Sequence, residues 1–212
     1  MPARTLPSVP KERRELLLDA ALALFTEQPF DTVSLADIAH RAGVAYGLIG
    51  HYFGGKRGIY LASMEAMANR LRAVRDQDPP AGQDAVDALR LGVARHIAYL
   101  ESQATGFTAL MRGGLGADPD VRQIVATLRW EGAERVLNLL GARRPLAPLL
   151  RTAMHGWVGL LDEAVLDWLE HRDLEQAQLA AVILNALSAC LLSVGRDTTG
   201  IADRLVKRIG TG

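Results

Sequence analysis

The chain has 212 residues, of which 49% are hydrophobic and 23% charged, so it can bury a core and is neither disordered nor fibrous. Lysine plus arginine and aspartate plus glutamate both number 24, and the resulting net charge of zero excludes a uniformly basic coat for nucleic acid but not a local basic patch. The single cysteine excludes a disulfide scaffold and a cysteine-rich zinc module, and it is typical of a reducing compartment.

Helix start and stop signals occur along the whole chain. Apolar residues recur at helical spacing, no β-type alternation of any length occurs, and aromatic residues make up only 5%, so the pattern predicts an all-α fold. Three helix starts carry capping signals, in the pairs Ser34–Asp37, Asp118–Pro119 and Asp173–Gln176. The predicted helices are Lys11–Gln28, Leu35–Arg41, Ala45–Tyr52, Lys56–Arg75, Asp84–Ser102, Gly106–Gly113, Pro119–Leu140, Pro145–Arg172, Leu174–Gly195 and Thr198–Ile209.

The longest apolar segment, Leu179–Val194, is the one candidate for a membrane span. It holds Asn185, Ser188 and Ser193, and it is shorter than the stretch of about 20 residues that a bilayer requires. We therefore expect a buried helix and no membrane partner. The first ten residues hold three prolines and no apolar run, so we expect no signal peptide and a cytoplasmic location.

Residues 34–52 are the most informative segment. Two short predicted helices joined by a turn that contains Gly43 have the spacing of a helix-turn-helix. Small apolar residues can lock the two helices at a steep angle, so that the second can enter a DNA major groove. An ordinary helical hairpin has the same spacing and stays open as the alternative. The locking residues are Ile38, Ala39, Val44 and Leu48 or Ile49.

The segment FDTVSLADIAHRAGV, residues 30–44, is followed by Gly47-Leu48-Ile49, by His51-Tyr52-Phe53 and by Lys56. In this register, over about residues 10–60, the chain resembles the DNA-binding domain of tetracycline-repressor (TetR) family regulators. The resemblance implies a three-helix helix-turn-helix DNA-binding domain over residues 10–56, with the start of the fourth helix included. It also implies a C-terminal helical ligand-binding and dimerisation domain over residues 57–212.

The resemblance also implies roles for single positions. Ser34 would cap the second helix and offer its hydroxyl to phosphate, and the start of the recognition helix would face the bases. His51 and Tyr52 would touch the DNA backbone, Lys56 would bring its ammonium and a helix N-terminus to phosphate, and Phe53 would be a core anchor. The implied DNA-binding residues are Ser34, Ala45, Tyr46, Gly47, Leu48, His51, Tyr52 and Lys56.

Three positions depart from the family pattern. Ala36 stands where a basic residue is frequent, Ala45 where serine or threonine opens the recognition helix, and Gly50 where tyrosine is frequent. Each removes a potential phosphate partner, and phosphate contacts set most of the affinity and its salt dependence. Residues 1–75 hold ten Lys/Arg against seven Asp/Glu, so we expect binding to depend more on Lys56 and the N-terminal basic residues.

The last long predicted helices carry too much hydrophobicity for one face. Pro145–Arg172 has a stripe of large apolar residues and a second side with Leu149 and Gly156, and Leu174–Gly195 is apolar around most of its circumference. A helix that is apolar nearly all round is buried on both sides, which indicates a homodimer in which Leu187 faces the partner subunit. A central core helix in a monomer is the alternative.

Aromatic, thioether and imidazole side chains on the middle helices are candidates for an effector pocket, because ligand pockets are mostly apolar with a few polar groups. Residue by residue, packing in an ordinary core explains them as well. Arg112 and Arg129 can pair either with an anionic ligand or with surface carboxylates. The candidates are His96, Tyr99, Phe107, Met111, Trp130, Met154, His155 and Trp157.

The chain carries no catalytic signature, because its five histidines are scattered and no Walker loop, dinucleotide fingerprint or Gly-x-Ser-x-Gly occurs. We therefore expect no enzyme, no cofactor and no metal site. The resemblance implies a ligand-responsive transcriptional repressor that releases a palindromic, double-stranded DNA operator when a largely apolar small-molecule effector binds. A transcriptional activator of the same fold is one alternative, and a helical small-molecule-binding protein or enzyme without DNA binding is the other.

Overall fold

The computed structural model describes residues 10–77, 82–112 and 118–194. Within these ranges the chain forms nine α-helices, one short 3₁₀ turn at Phe30–Thr32 and no strand, which confirms the predicted all-α class. The predicted helix Thr198–Ile209 lies outside the described residues. The helices are α1 (Pro10–Glu27), α2 (Leu35–Ala42), α3 (Gly47–Phe53), α4 (Lys56–Arg75), α5 (Ala85–Ser102), α6 (Ala104–Arg112), α7 (Pro119–Leu139), α8 (Pro148–His171) and α9 (Gln176–Ser193).

Two of the predicted capping signals are confirmed. Ser34 begins α2 with a complete capping box, in which its Oγ accepts the N–H of Asp37 at 3.1 Å and its own N–H donates to the Asp37 carboxylate at 3.0 Å. At the start of α7, the Asp118 carboxylate accepts the backbone N–H of Asp120 at 2.9 Å. Local side-chain chemistry therefore decides where these two helices begin.

The predicted start of α8 at Pro145 is wrong. The helix begins at Pro148, where the fixed φ and the missing N–H of proline are best tolerated. Ala147 before it is extended, with φ −58° and ψ 139°, because proline disfavours the helical region for the preceding residue.

The capping box predicted at Asp173 is also wrong. The box that begins α9 is formed by Glu175 and Gln178, with the Glu175 N–H donating to Gln178 Oε1 at 2.8 Å. Leu174 lies in the link between α8 and α9. Its carbonyl accepts a hydrogen bond from Trp168 Nε1 at 2.7 Å. Both candidate boxes have the same spacing, so the spacing alone does not decide between them.

The described residues pack into two compact units. The first contains the residues up to Arg70 together with Gln103–Val125, and the second contains Leu71–Ser102 and the residues from Ala126 onward. α6 belongs to the first unit because it packs against α1, and the functional domain boundary expected after residue 56 stays a prediction. At that contact a Cβ on Gly106 would lie 3.1 Å from Thr26 Cα, so glycine permits the close approach of the two helices.

The first unit is built around one apolar core. α1, α2, α3, the start of α4 and the start of α7 all contribute buried residues to it. Full burial of each large aliphatic side chain stabilises the unit by about 1.5–3 kcal/mol. Burial also raises the pKa of Tyr60, which packs edge-on against Phe25 at 4.9 Å between ring centroids, to about 12. The fully buried residues are Leu17, Val33, Ile38, Ile49, Ile59 and Val121.

The core of the second unit lies between α5, α8 and α9. Leu187 on α9 was expected to face a partner subunit, and this expectation is wrong because its side chain is fully buried. Ile183, one turn earlier, is also fully buried, whereas Val182 beside it is 51% exposed. The outward face of α9 is thus a different side of the helix from the one that contains Leu187.

By length and composition, α9 is the helix within the described ranges that could cross a membrane. Core helices meet the same criterion, and α9 packs against α5 and α8 through residues such as Leu179 and Leu191. One side of α9 is thus buried, whereas only 33% of the helix as a whole is buried, less than the sequence predicts.

Candidate nucleic-acid interface and cavity

α2 and α3 are joined by a turn that requires glycine. Gly43 adopts the left-handed conformation, with φ 66° and ψ 33°. Its N–H donates to the His40 carbonyl at 3.1 Å, and the N–H of Val44 donates to the Ala39 carbonyl at 3.2 Å. These two bonds form a Schellman motif, which ends α2 and redirects the chain into α3.

Buried contacts hold α3 against α2. Ile38 and Ala39 on α2 and Ile49 on α3 lie in the same core cluster and are 5% exposed or less. α3 begins at Gly47, later than expected, and no side chain caps it, as Ala45 in place of serine or threonine implies. The buried side of α3 is fixed, so its opposite side is presented to solvent.

The solvent side of α3 combines two aromatic-type side chains with glycines. Tyr46 is 58% exposed, and His51 is exposed with its ring against the edge of Tyr52 at 4.9 Å. Gly47 and Gly50 are exposed too, and a Cβ added to either would meet no atom within 4 Å. A helix face without side chains allows its backbone to come close to a partner.

The other residues expected at DNA are partly engaged within the unit. Leu48 and Tyr52 are half-buried and pack against the core, whereas Ala45 is exposed. The Ser34 hydroxyl donates to the Asp37 carboxylate at 2.6 Å, and this bond lowers the pKa of Asp37. A phosphate would therefore compete with Asp37 for the hydroxyl proton.

Lys56 opens α4, and within the described part of the chain its ammonium contacts neutral groups. Nζ lies 4.4 Å from the centroid of the Phe30 ring and donates to the Asp31 carbonyl at 3.4 Å. Gly54 and Gly55, with φ 72° and 122°, form the tight link from α3. The positive charge is thus kept beside the N-terminus of α4, where an anion is favoured.

The neighbouring Arg57 differs from Lys56 because carboxylates neutralise it. Its Nε donates to Asp118 at 2.7 Å and its Nη2 to Asp120 at 2.5 Å, which joins α4 to the start of α7 within the first unit. The Arg57 guanidinium holds the pKa of Asp118 at about 2. Of these two adjacent cations, Lys56 is the one whose charge remains to attract phosphate.

Gly58 is a structural residue that the sequence pattern did not identify. A Cβ at this position would lie 1.7 Å from the Phe53 carbonyl oxygen, far inside any real contact. Only glycine therefore allows the first turn of α4 to pack against the end of α3. The available signal was a third glycine, shortly after Gly54 and Gly55.

The second unit contains a cavity of about 510 Å³. Of the eight residues expected in a pocket, His96 and Trp157 line it, and Trp157 Nε1 donates to the Ile183 carbonyl at 3.0 Å. Arg129, considered from the sequence as a partner for an anionic ligand, lines it as well. Arg75 also lines the cavity, and the sequence did not indicate it because a basic residue in a last helical turn usually faces solvent.

The other six candidates do not line this cavity. Trp130 and His155 stack on each other, with 4.6 Å between ring centroids and 19° between planes. Met154 is fully buried and Tyr99 is half-buried, both in the second unit. Their part in effector binding stays a prediction. The remaining two lie on α6 in the first unit and are Phe107 and Met111.

Among residues 10–77, 82–112 and 118–194, no group of three or more His, Cys, Asp or Glu side chains could hold a metal ion.

Two family models match the chain. Residues 17–63 match the model described as bacterial regulatory proteins, tetR family, and residues 86–190 match the tetracyclin repressor-like C-terminal domain.

Curated relatives match the N-terminal part of the chain. The HTH-type transcriptional regulator BetI of Serratia proteamaculans is 39% identical over 84 residues, which are 36% of this chain and 42% of that protein. BetI of Escherichia coli (strain K12 / DH10B) is 42% identical over 60 residues, 28% of this chain and 31% of that protein. The match thus spans less than half the length of these relatives.

Solved structures match nearly the whole chain. A tetR-family transcriptional regulator from Streptomyces coelicolor has a TM-score of 0.80 at 25% identity, with 93% of this chain and 89% of that chain covered. FadR from Bacillus subtilis in complex with stearoyl-CoA has a TM-score of 0.59 at 21% identity, covers 82% of this chain and 96% of that one, and shows the fold alone. With a helix-turn-helix in its first unit and family models matched in both parts, the chain belongs to the tetR family of bacterial regulatory proteins.

Proposed function

We propose that this chain is a transcriptional repressor that binds a palindromic operator as a homodimer and releases it when a small molecule binds. The observation that carries the proposal is α3, which buried residues lock to α2 and which presents Tyr46, Gly47, Gly50 and His51 to solvent. TetR-family regulators are ligand-responsive DNA-binding regulators, mostly repressors. Because its partner is genomic DNA, the protein would work in the cytoplasm.

In the proposed complex, α3 lies in the major groove. Tyr46 and His51 would contact bases and backbone, and the glycines between them would let the helix sit deep in the groove. Lys56 and the Ser34 hydroxyl would bind phosphates on either side. This interface has few cationic side chains, so its affinity should depend strongly on the remaining ones and on the salt concentration.

The exposed apolar face of α8 and α9 supports the homodimer. Leu149 is 59% exposed and Val182 is 51% exposed, and Leu160 and Leu192 are exposed as well. A Cβ added to Gly156 would meet no atom within 4 Å, so a second helix could approach closely there. A second copy would remove these side chains from water, and two copies could place their α3 helices about 34–36 Å apart, at the spacing of operator half-sites.

The cavity of the second unit supports the effector part of the proposal. An effector releases DNA only if it binds more tightly to the conformation with the lower DNA affinity. By linkage, DNA must then weaken effector binding by the same factor. The size and mixed apolar and polar lining of the cavity suit a small organic molecule.

The test is fluorescence anisotropy with the DNA that flanks the gene, against a duplex of scrambled sequence, at several salt concentrations. We expect a preference for the flanking DNA and a linear fall of log affinity with log salt. His51→Ala should weaken specific binding, and His171→Ala, which changes an exposed histidine on α8, is the matched control.

Three outcomes would contradict parts of the proposal. Equal affinity for flanking and scrambled DNA would contradict a specific regulator and favour the small-molecule-binding alternative. Equal losses in His51→Ala and His171→Ala would contradict the assignment of α3 as the reading helix. A rise in transcription from the flanking promoter when the protein binds would identify an activator.

A further inference from the structure

The cavity of the second unit is lined by a largely buried cation, Arg75, that forms no direct ion pair with a carboxylate of the described residues. Among these residues Arg75 makes a single hydrogen bond, from Nη1 to the Leu128 carbonyl at 2.8 Å, and it has no carboxylate within 4 Å. Its guanidinium packs so closely on α7 that a Cβ on Gly132 would lie 3.0 Å from it. Burial lowers the pKa of Arg75 to about 10, although the more distant charges of Asp162 and Glu131 oppose this shift.

A second polar group in the same wall has no partner. His96 is buried with 8% of its surface exposed, and its Nδ1 makes no hydrogen bond. Burial, together with the nearby charge of Arg75, lowers the pKa of His96 to about 3, so the ring is neutral at pH 7. A neutral imidazole that carries its proton on Nδ1 can donate one hydrogen bond. An unsatisfied buried polar atom is costly, and a bound ligand group would satisfy it.

Two further cations near these two groups are paired. Arg129 Nε donates to the Asp162 carboxylate at 2.6 Å, so these opposite charges balance within the cavity wall. Arg135, another lining residue, pairs with Asp76 at 3.0 Å. A second lining cation, Arg95, also has no carboxylate partner among the described residues, since its Nη1 donates to the Gln77 carbonyl at 3.3 Å. The unpaired charges of the cavity wall are therefore positive, which opposes a cationic ligand and matches an anionic one.

Another part of the lining is apolar. Leu89, Val93 and Leu161 share the wall with the Trp157 ring, and the volume of about 510 Å³ is that of a site for a small organic molecule. A ligand that contacts both the apolar side chains and the polar pair Arg75 and His96 has an apolar body and one anionic end.

We propose that the effector is an apolar organic acid whose carboxylate is bound by the Arg75 guanidinium and the His96 Nδ1–H. This inference rests on the proposed function, which requires an effector, and it adds the chemical class and the two residues that recognise it. The guanidinium binds the carboxylate through charge-assisted hydrogen bonds, and the imidazole supplies a further donor.

The first test compares three probes with the same ten-carbon chain: decanoate, decanol and decyltrimethylammonium. Binding to the unmodified protein is measured by calorimetry below the micelle concentration of each probe. We expect decanoate to bind at least about tenfold more tightly than either of the others, since one charge-assisted bond is worth about that factor. If decanol or the cation binds as tightly as decanoate, or if decanoate does not bind at millimolar concentration, the proposal is overturned.

The second test locates the carboxylate. Arg75→Gln should abolish the preference of the protein for decanoate over decanol, while Arg75→Lys should keep part of it. Arg135→Gln, which removes a paired cation from the same cavity, should leave the preference unchanged. Because the readout is the ratio of two affinities in one variant, a general loss of stability does not imitate the result. An unchanged ratio in Arg75→Gln overturns the assignment.

DNA binding of the same samples separates this inference from the proposed function. If the protein binds its flanking DNA but has no preference for the acid, only the ligand class fails. If decanoate binds through Arg75 and the protein has no DNA preference, the carboxylate site stands and the repressor proposal fails.

Discussion

Replacing Gly58 by alanine tests whether the close packing of α4 on α3 is essential to the first unit. The added Cβ would lie 1.7 Å from the Phe53 carbonyl oxygen, and real Cβ contacts essentially never fall below 3.0 Å. The backbone must therefore open by about 1.3 Å, the difference between these distances, and no rotamer change can relieve the contact. Overpacking of this kind costs about 1–3 kcal/mol, against a helix-propensity gain of about 1 kcal/mol.

The matched control is Gly50→Ala on α3. Its Cβ would meet no atom within 4 Å, so the substitution gains helix propensity without a clash. We expect Gly50→Ala to raise the free energy of unfolding by about 1 kcal/mol and Gly58→Ala to lower it by about 1 kcal/mol, the net of the overpacking cost and the gain in helix propensity. In a protein of this size these changes correspond to a rise and a fall of about 2–4 °C in Tm.

Urea unfolding followed by circular dichroism measures both changes. The two variants carry the same chemical substitution, so the sign of the difference depends on the local geometry alone. Gly58→Ala protein as stable as Gly50→Ala protein would refute the contact with Phe53. The same pair also tests the DNA interface, because a methyl group on the exposed face of α3 should weaken operator binding although it stabilises the fold.

Three further predictions concern the interface, the dimer and the cavity. Lys56→Ala should weaken binding to every duplex by a similar factor and reduce the slope of log affinity against log salt by about one unit. Lys56→Arg should keep the DNA affinity and the salt slope of the unmodified protein. A loss of affinity confined to one DNA sequence would contradict a phosphate contact. Val182→Glu should give a folded monomer in sedimentation velocity, whereas Leu187→Glu, at a fully buried position, should unfold the second unit; a dimeric Val182→Glu protein would exclude this face of α9. Because folding lowers the pKa of His96 from 6.5 to about 3, its contribution to stability is complete above about pH 6.5 and is lost as the pH falls towards 3. His96→Leu should remove this part of the pH dependence in denaturant unfolding, and equal pH dependence in both proteins would show that His96 titrates normally.

Local chemistry made much of the fold predictable. The capping box of Ser34 and Asp37 and the glycines before Lys56 act within a few residues, so the sequence places α2 and the start of α4 correctly. The same is true of the helix-turn-helix, whose turn depends on Gly43 and on apolar residues at short spacing. The DNA-binding roles of the α3 residues remain predictions for the experiments above.

Two failures of prediction involve contacts between elements that the sequence pattern cannot place relative to one another. α9 is apolar on most sides, and its helical pattern cannot tell that Leu187 faces the core while Val182 faces solvent, because α5 and α8 decide which side is covered. The glycine at residue 58 is explained only by the carbonyl of a different helix.

The sequence by itself determined the helical class, most helix boundaries, the helix-turn-helix and the family, because capping, periodicity and turn chemistry are local. Tertiary structure alone decided which apolar side of α9 is buried and which charges remain unpaired. Arg75 appears in the sequence as an ordinary basic residue in the last turn of α4. Its position beside His96 in the cavity depends on the packing of α4, α5 and α7, and burial among those helices is what makes an unpaired charge or an orphaned nitrogen a candidate binding group.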